Sequence, residues 1–267
     1  MHFLNNLKYI LEHKHTFNLG ITPFLHLSDE EFSSRFFDIS SDRNRTEVTV
    51  SLAAPESKDW VSEGCVTPVK DQGQCGSCWS FSTSGVMEGA NCVKSGKLIS
   101  LSEQQLVSCA NKINQGCNGG NVDWTFRYLE KTQHCTEADY PYVSGDGKVP
   151  QCHECKGAVS KVSKFVDVPK GNEDQLLNAL ALNPIAIAIE ADSKEFQLYK
   201  GGIMDFNCGN KLDHAVLLVS YGTENGIPYW KVKNSWSTSW GENGYFRLVR
   251  GKNMCGIADS ASYPILA

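Results

Sequence analysis

The 267-residue chain has no stretch approaching eighteen consecutive apolar residues, which excludes a membrane-spanning helix. Nor does it carry an excess of positive charge: 25 basic against 30 acidic residues leave a formal net charge of −5. A nucleic-acid binder that works through its overall field is basic, so that class is disfavoured. Internal repeats and low-complexity tracts are missing, and with 41% apolar residues the composition is that of a folded chain. The opening residues, Met1-His2-Phe3-Leu4-Asn5-Asn6, lack the basic segment and apolar core of a secretory leader. The first 53 residues also lack cysteine, whereas eleven cysteines lie between positions 65 and 255. Eleven is high for a reducing compartment, and it is odd. In an oxidising one at least one thiol stays unpaired and needs a reason to be there.

The length suits one large domain or two closely packed lobes. Residues 1–53 hold four of the seven histidines, His2, His13, His15 and His26. Phe3, Leu7, Ile10 and Leu11 recur with the spacing of one face of an amphipathic helix. Ser28-Asp29-Glu30-Glu31 forms a capping box ahead of a second helical stretch carrying Phe32, Phe36 and Phe37. Ser40 to Val50 is polar and reads as a linker, and Asn44-Arg45-Thr46 within it is a glycosylation sequon. Residues 54–267 then read as a separate, disulfide-stapled body. Its front half is helical: Ser77 is placed to cap a helix over Trp79–Val93, and Ser102-Glu103-Gln104-Gln105 to cap another. Strand signals follow at Ile185–Ile189, Val216–Ser220, Tyr229–Asn234 and Tyr245–Val249, with turns such as Glu224-Asn225-Gly226 and Glu242-Asn243-Gly244. A helical half followed by a β-rich half predicts an α+β protein of two lobes.

Two Cys-x-x-Cys pairs, Cys75/Cys78 and Cys152/Cys155, allow three readings. A zinc ribbon needs its pairs ~15–20 residues apart, far closer than these. A thioredoxin-type redox pair follows a strand in a βαβ unit, which the surrounding sequence does not suggest. The third takes Cys78 alone as a nucleophile and the other cysteines as staples. The local sequence favours the third. Gln72-Gly73-Gln74-Cys75-Gly76-Ser77-Cys78-Trp79 resembles the active-site segment of the papain-like cysteine peptidases. Cys117-Asn118-Gly119-Gly120, Asp213-His214-Ala215, Lys233-Asn234-Ser235-Trp236 and Cys255-Gly256-Ile257-Ala258 follow in family order. The resemblance runs from about Pro55 to the C-terminus.

That resemblance implies a two-lobed papain-like fold, a helical left lobe against a β-barrel-like right lobe, with the active site in the cleft between. It implies an endopeptidase needing no metal or other cofactor. Cys78, at a helix N-terminus and facing His214, is expected to rest as a thiolate–imidazolium pair. The thiolate attacks the scissile carbonyl, and His214 protonates the leaving amine and later activates water. Asn234 fixes the imidazole, Trp236 shields that bond, and Gln72 with the Cys78 backbone N–H forms the oxyanion hole. Gly119 and Gly120 are expected to hold an extended substrate backbone. Asn121, Val122, Ala188, Ala215 and Ser260, with Asp213 beside them, are expected to line the pocket for the second residue before the cut. Its small, uncharged walls suit a hydrophobic side chain.

In the first segment, Phe3-x-x-Asn6-x-x-x-Ile10-x-x-His13 looks like the end of the propeptide motif of the cathepsin L-like branch. The chain is therefore expected to be a truncated proenzyme, residues 1–53 forming an inhibitory propeptide and linker that is cut between Val48 and Ala54, ahead of a peptidase domain at 54–267. Charging of the four histidines below about pH 6.5 is a candidate release mechanism. The resemblance further implies the disulfides Cys75–Cys117, Cys208–Cys255 and Cys109 to either Cys152 or Cys155. Cys135 with the remaining member, and Cys65 with Cys92, would complete five, with these last pairings left open by the sequence. The expected partners are protein and peptide substrates, the chain's own propeptide and cystatin-type inhibitors, for a monomer of lysosomal, vacuolar or extracellular compartments. Two other classes compete. A binding module on a dead peptidase scaffold would not need Cys78, His214, Asn234 and Gln72 intact, and a thiol–disulfide oxidoreductase would need Cys75 and Cys78 to cycle together.

Overall fold

The computed structural model describes residues 2–37, 39, 47–51 and 53–267. The sequon and most of the expected linker lie outside them. The N-terminal segment comprises α1 (His2–Glu12), β1 (Asn18–Leu19) and α2 (Asp29–Ser33). The Ser28 capping box forms with both its bonds, Glu31 N–H to Ser28 Oγ and Ser28 N–H to Glu31 Oε2. The helix stops earlier than its apolar spacing predicts. Ser33 and Ser34 turn their hydroxyls back to the carbonyls of Glu30 and Glu31, the local competition that ends helices. Phe36 and Phe37 therefore leave α2 before they are reached. In α1 the expected apolar face is not the buried one: Phe3 and Leu11 are exposed, and the buried residue is Asn6. Its amide donates to the carbonyls of both Leu25 and Leu27, which accounts for a polar group taking the inner position.

The body opens with β2 (Lys58–Asp59) and a helical lobe of α3 (Cys78–Ser95), α4 (Glu103–Cys109) and α5 (Val122–Leu129), with the small pair β3 (His134–Cys135) and β4 (Ala158–Ser160) beside it. The second lobe follows: β5 (Val162–Asp167), α6 (Glu173–Leu180), β6 (Ile185–Ile189), α7 (Lys194–Leu198), β7 (Tyr199–Gly201), β8 (Ile203–Met204), β9 (His214–Glu224), β10 (Ile227–Lys233), β11 (Tyr245–Val249) and β12 (Ala261–Leu266). The strand path β5-β12-β6-β9-β10-β11-β8, with β2 added on β9, is antiparallel except for β8 on β11. Its ends are not paired to each other among the described residues, so this barrel-like sheet stays open. The β9–β10 hairpin pairs Glu224 with Ile227 directly, leaving Asn225 (φ 53°) and Gly226 (φ 80°) as a two-residue turn that needs left-handed backbone at both positions.

Five disulfides staple the body: Cys65–Cys92, Cys75–Cys117, Cys109–Cys152, Cys135–Cys155 and Cys208–Cys255. Helix α3 is buried nearly all round and packs against β9, β12 and β6 of the second lobe. A Cβ on its Gly85 would come within 2.8 Å of Leu217 on β9, so glycine lets helix and strand approach. Ser82 then bonds the Val216 carbonyl at 2.8 Å, which ties α3 to β9 in one register.

Candidate active site

The chain topology assembles the site. Cys78 is the first residue of α3, His214 the first of β9, and Asn234 directly follows the last residue of β10. Antiparallel neighbours begin and end at the same edge, so His214 and Asn234 meet. His214 Nε2 lies 2.8 Å from Asn234 Oδ1. That oxygen also accepts the backbone N–H of Ser235 at 2.8 Å, which identifies it as the oxygen and makes His214 Nε2 the donor. In the neutral ring the proton is thus on Nε2, and Nδ1 keeps its lone pair. Cys78 is the one free cysteine, buried, and its Sγ accepts from the Ala215 N–H at 3.5 Å. Cys75 is bonded to Cys117, so a Cys75/Cys78 redox pair is not formed.

Gln72 is tied to the same strand end. Its Oε1 accepts from Ser235 Oγ at 2.7 Å, and its Nε2 donates to the Cys75 carbonyl at 2.9 Å. Ser77 does not cap α3 with its side chain. Its hydroxyl meets Tyr142 Oη at 2.9 Å, and Tyr142 donates onward to the Gln72 carbonyl. Tyr142 lies outside every motif, and Ser235 lies in one without an assigned role; both act as site supports only when three distant segments converge.

The cleft is covered. The His214 ring stacks on Trp236 at 4.8 Å between centroids, and Phe36 meets it edge-on at 5.5 Å. Phe24, Phe32 and Phe36 all pack edge-on against Trp236. Phe37 lies along Gly76 and Gly119: a Cβ at Gly119, whose φ is +106°, would come 3.0 Å from the Phe37 Cβ. A cavity of about 280 Å³ remains between this aromatic cover and Gln72, His214 and Trp236.

Dehydration sets the protonation here. Burial, reinforced by the charge of Asp213 and only partly opposed by the Ala215 N–H, pushes the Cys78 thiol up to about 11. Burial brings His214 down to about 4 despite its bond to Asn234. Under the cover, burial thus works against charge on each of these two groups. Beneath the site lies a buried charged cluster. Lys70 reaches Glu103 at 2.7 Å and Glu88 at 3.1 Å, and Lys233 donates to Thr67. Burial opposes charge on Glu88, but Lys70 and Lys233 hold it below the usual range, while burial wins at Glu103 and raises it to about 8.

The expected pocket residues are distributed less evenly. Ala188 and Ala215 face each other across β6 and β9, with Ala188 N–H bonded to the Ser260 carbonyl at 2.9 Å. Asp213 accepts from the Ala191 N–H, and burial raises it to about 7. Val122 is half-buried at the start of α5. The Asn121 side-chain oxygen caps α5, accepting from Asp123 and Trp124 N–H. A Cβ on Gly120 would come within 2.6 Å of the Trp79 ring, so that glycine is required by packing as much as by access.

With this geometry in hand, comparison with known proteins is direct. Residues 54–265 match the family of papain family cysteine proteases. "Probable cysteine protease RD21B" of Arabidopsis thaliana is 46% identical over 277 residues, taking in 98% of this chain and 60% of that protein. Vignain of Ricinus communis is 49% identical over 217 residues, 79% of this chain and 60% of its own length. The chain thus spans about three fifths of the length of these relatives. Among solved structures, the digestive procathepsin L 3 of Tenebrio molitor larval midgut superposes with a TM-score of 0.91 at 40% identity, over 98% of this chain and 90% of that one. The chain belongs to the papain family of cysteine proteases.

Proposed function

We propose that the chain is the precursor of a cysteine endopeptidase whose N-terminal segment, residues 1–53, is an inhibitory prosegment over a peptidase domain at 54–267. The observation that carries the reading is the His214–Asn234 bond, with Asn234 Oδ1 identified by its second donor. It leaves His214 Nδ1 as the base for the one cysteine outside the disulfides. Once the cover leaves, water and the N-terminus of α3 favour the thiolate, and His214 takes the proton. Attack on a peptide carbonyl forms a thioester and expels the amine, protonated by His214, and water activated by the same ring releases the acid. An amide NH₂ carries two donors. Gln72 uses one on Cys75, and the other with the Cys78 backbone N–H would receive the oxyanion.

Gly119 and Gly120 hold the substrate backbone in this reading. Ala188, Ala215, Val122 and Ser260 form a small apolar pocket for a hydrophobic residue at the second position before the cut. Residues 47–51 and 53–56 are largely exposed, which suits activation between Val48 and Ala54. The five disulfides fit a vacuolar, lysosomal or extracellular setting. The decisive experiment is hydrolysis of a fluorogenic dipeptide amide at pH 5.5 with mild reductant after prosegment removal. Cleavage is expected, with a preference for leucine, phenylalanine or valine at the second position, and with none in Cys78→Ala. Activity retained by Cys78→Ala overturns the mechanism.

A further inference from the structure

Away from the cleft, the N-terminal segment meets the body a second time, where its His13-Lys14-His15 stretch crosses the start of α7. The His13 and His15 rings lie 3.4 Å apart between centroids, and both face Glu195. His15 Nε2 is 3.8 Å from Glu195 Oε1, beyond hydrogen-bond reach. The Nε2 atoms of both histidines are buried and have no hydrogen-bond partner among the described residues. Burying two such nitrogens unsatisfied is costly. A single proton could bridge only one of them to the carboxylate, whereas a dication would serve all three groups together.

We propose that His13, His15 and Glu195 form a zinc site that latches the N-terminal segment onto the body. The donor atoms all lie within 4.8 Å of one another. A tetrahedral zinc with bonds of ~2.0–2.1 Å sets its ligands about 3.4 Å apart, so modest side-chain closure completes the site. Two imidazoles and one carboxylate suit zinc rather than calcium or magnesium, which take oxygen sets. The surroundings orient the ligands as outer-shell partners do in metal sites. Tyr9 donates to Glu195 Oε1 at 2.8 Å and stacks on His13, and Phe17 stacks on His15. Lys194, the neighbouring cation, is engaged by Asp29 at 2.8 Å. With His15 and Glu195 side chains 23% and 19% exposed, water can reach the fourth position. The latch rests on the reading of residues 1–53 as a prosegment: zinc would slow its departure and so its activation.

The test uses the full chain carrying Cys78→Ala, which neither processes itself nor offers the active-site thiol to the metal. Calorimetric titration of chelator-stripped protein with zinc is expected to show one ion per chain at micromolar affinity or tighter, undiminished by millimolar magnesium. His13→Gln with His15→Gln is expected to weaken binding at least ~30-fold. Glu195→Gln keeps an acceptor for Tyr9 and should weaken binding about 10-fold, with thermal unfolding confirming that each variant is folded. Zinc is also expected to slow hydrogen exchange at residues 13–20 and 195–201 in the parent and not in the double variant. No binding, equal binding by the double variant, or binding without slower exchange overturns the latch. Peptide hydrolysis by the processed Cys78 chain is scored separately, so failure of the peptidase reading and failure of the latch give different results.

Discussion

The body and the N-terminal segment are held by different means. The body has five disulfides, an eight-stranded sheet and a core running through both lobes. Among the described residues the segment has no disulfide, and its only regular pairing is the two-residue β1 against β7. It is fastened by side chains reaching main-chain atoms, Thr22 Oγ1 to the Gln197 carbonyl at 2.7 Å and Gln197 Nε2 to the Phe24 and Leu27 carbonyls, and by Phe17, Leu27, Phe32 and Ile39, which join the body's core. Much of its apolar surface, including Leu4, Leu11 and Ile21, stays in solvent. The body carries its own stability, while the segment borrows its order from the surface it covers. Under the proposed reading of residues 1–53 as a prosegment, the segment leaves while the stapled body stays folded.

The largest effect that would sharpen this contrast is in the body. The Cys75–Cys117 bond closes a loop 42 residues long. Replacing both cysteines by serine is expected to cost about 4 kcal/mol, from the lost constraint on the unfolded chain. Denaturant unfolding in the Cys78→Ala background reads it directly. A loss below about 1 kcal/mol would mean that the core, rather than the staples, sets the body apart.

Next in size is a pH effect, also confined to the body. His134 is fully enclosed, and burial lowers it to about 4, with its Nε2 3.0 Å from the Ser102 carbonyl. A depressed histidine contributes stability above its unfolded value near 6.5, and that contribution is lost as pH falls toward 4, because the unfolded state takes up a proton that the folded state refuses. The interval corresponds to about 3 kcal/mol. Glu103 and Asp213, raised to about 8 and 7, act with the opposite sign, so the informative quantity is a difference. His134→Gln keeps a donor for Ser102 and should gain on the parent by about that amount between pH 6.5 and 4. Parallel stability curves for the two chains would refute the assignment.

The contrast between the parts also explains what could be read beforehand. Cys78, His214 and Asn234 stand in motifs whose residue types the chemistry demands, and the antiparallel edge at β9 and β10 then brings them together. The helical and β-rich halves showed in their periodicity, but the openness of the sheet did not, since strand patterns carry no information on whether the ends meet. Asn121 just before Val122-Asp123 is a legible capping signature, and the structure forms that cap. The segment was hardest. Phe32 and Phe36 share a helical spacing, yet Ser33 and Ser34 end the helix between them, and that small local competition sends Phe36 and Phe37 into the cleft. Likewise only two of its four histidines approach the body; His2 and His26 are exposed.

Phe36 therefore offers the third prediction. It is half-buried against His214 and Trp236, so Phe36→Ala is expected to loosen the cover by about 2 kcal/mol, near half the range for a fully buried phenylalanine. The unprocessed precursor should bind an active-site-directed thiol reagent roughly 30-fold faster, with the unfolding midpoint of the body unchanged. A lowered midpoint at unchanged reactivity would show that Phe36 belongs to the core of the body and would erase the distinction.

The smallest expected effect lies at the rim of the segment's docking ledge. Lys194 is 2.8 Å from Asp29, whose side chain is 64% exposed. Water and salt screen such a pair, and two side chains must be ordered to make it, so Lys194→Ala should cost well under 1 kcal/mol. The same lysine also stands 5.3 Å from the Tyr9 ring, which adds only a weak exposed cation–π contact. Release of the segment should therefore change less than about threefold, and the change should vanish in 0.5 M salt. A much larger effect, abolished by salt, would mean that charge rather than the buried hydrogen bonds of Asn6, Thr22 and Gln197 fastens the segment. That would place its hold in the screened surface layer, where ionic strength alone could open the cleft.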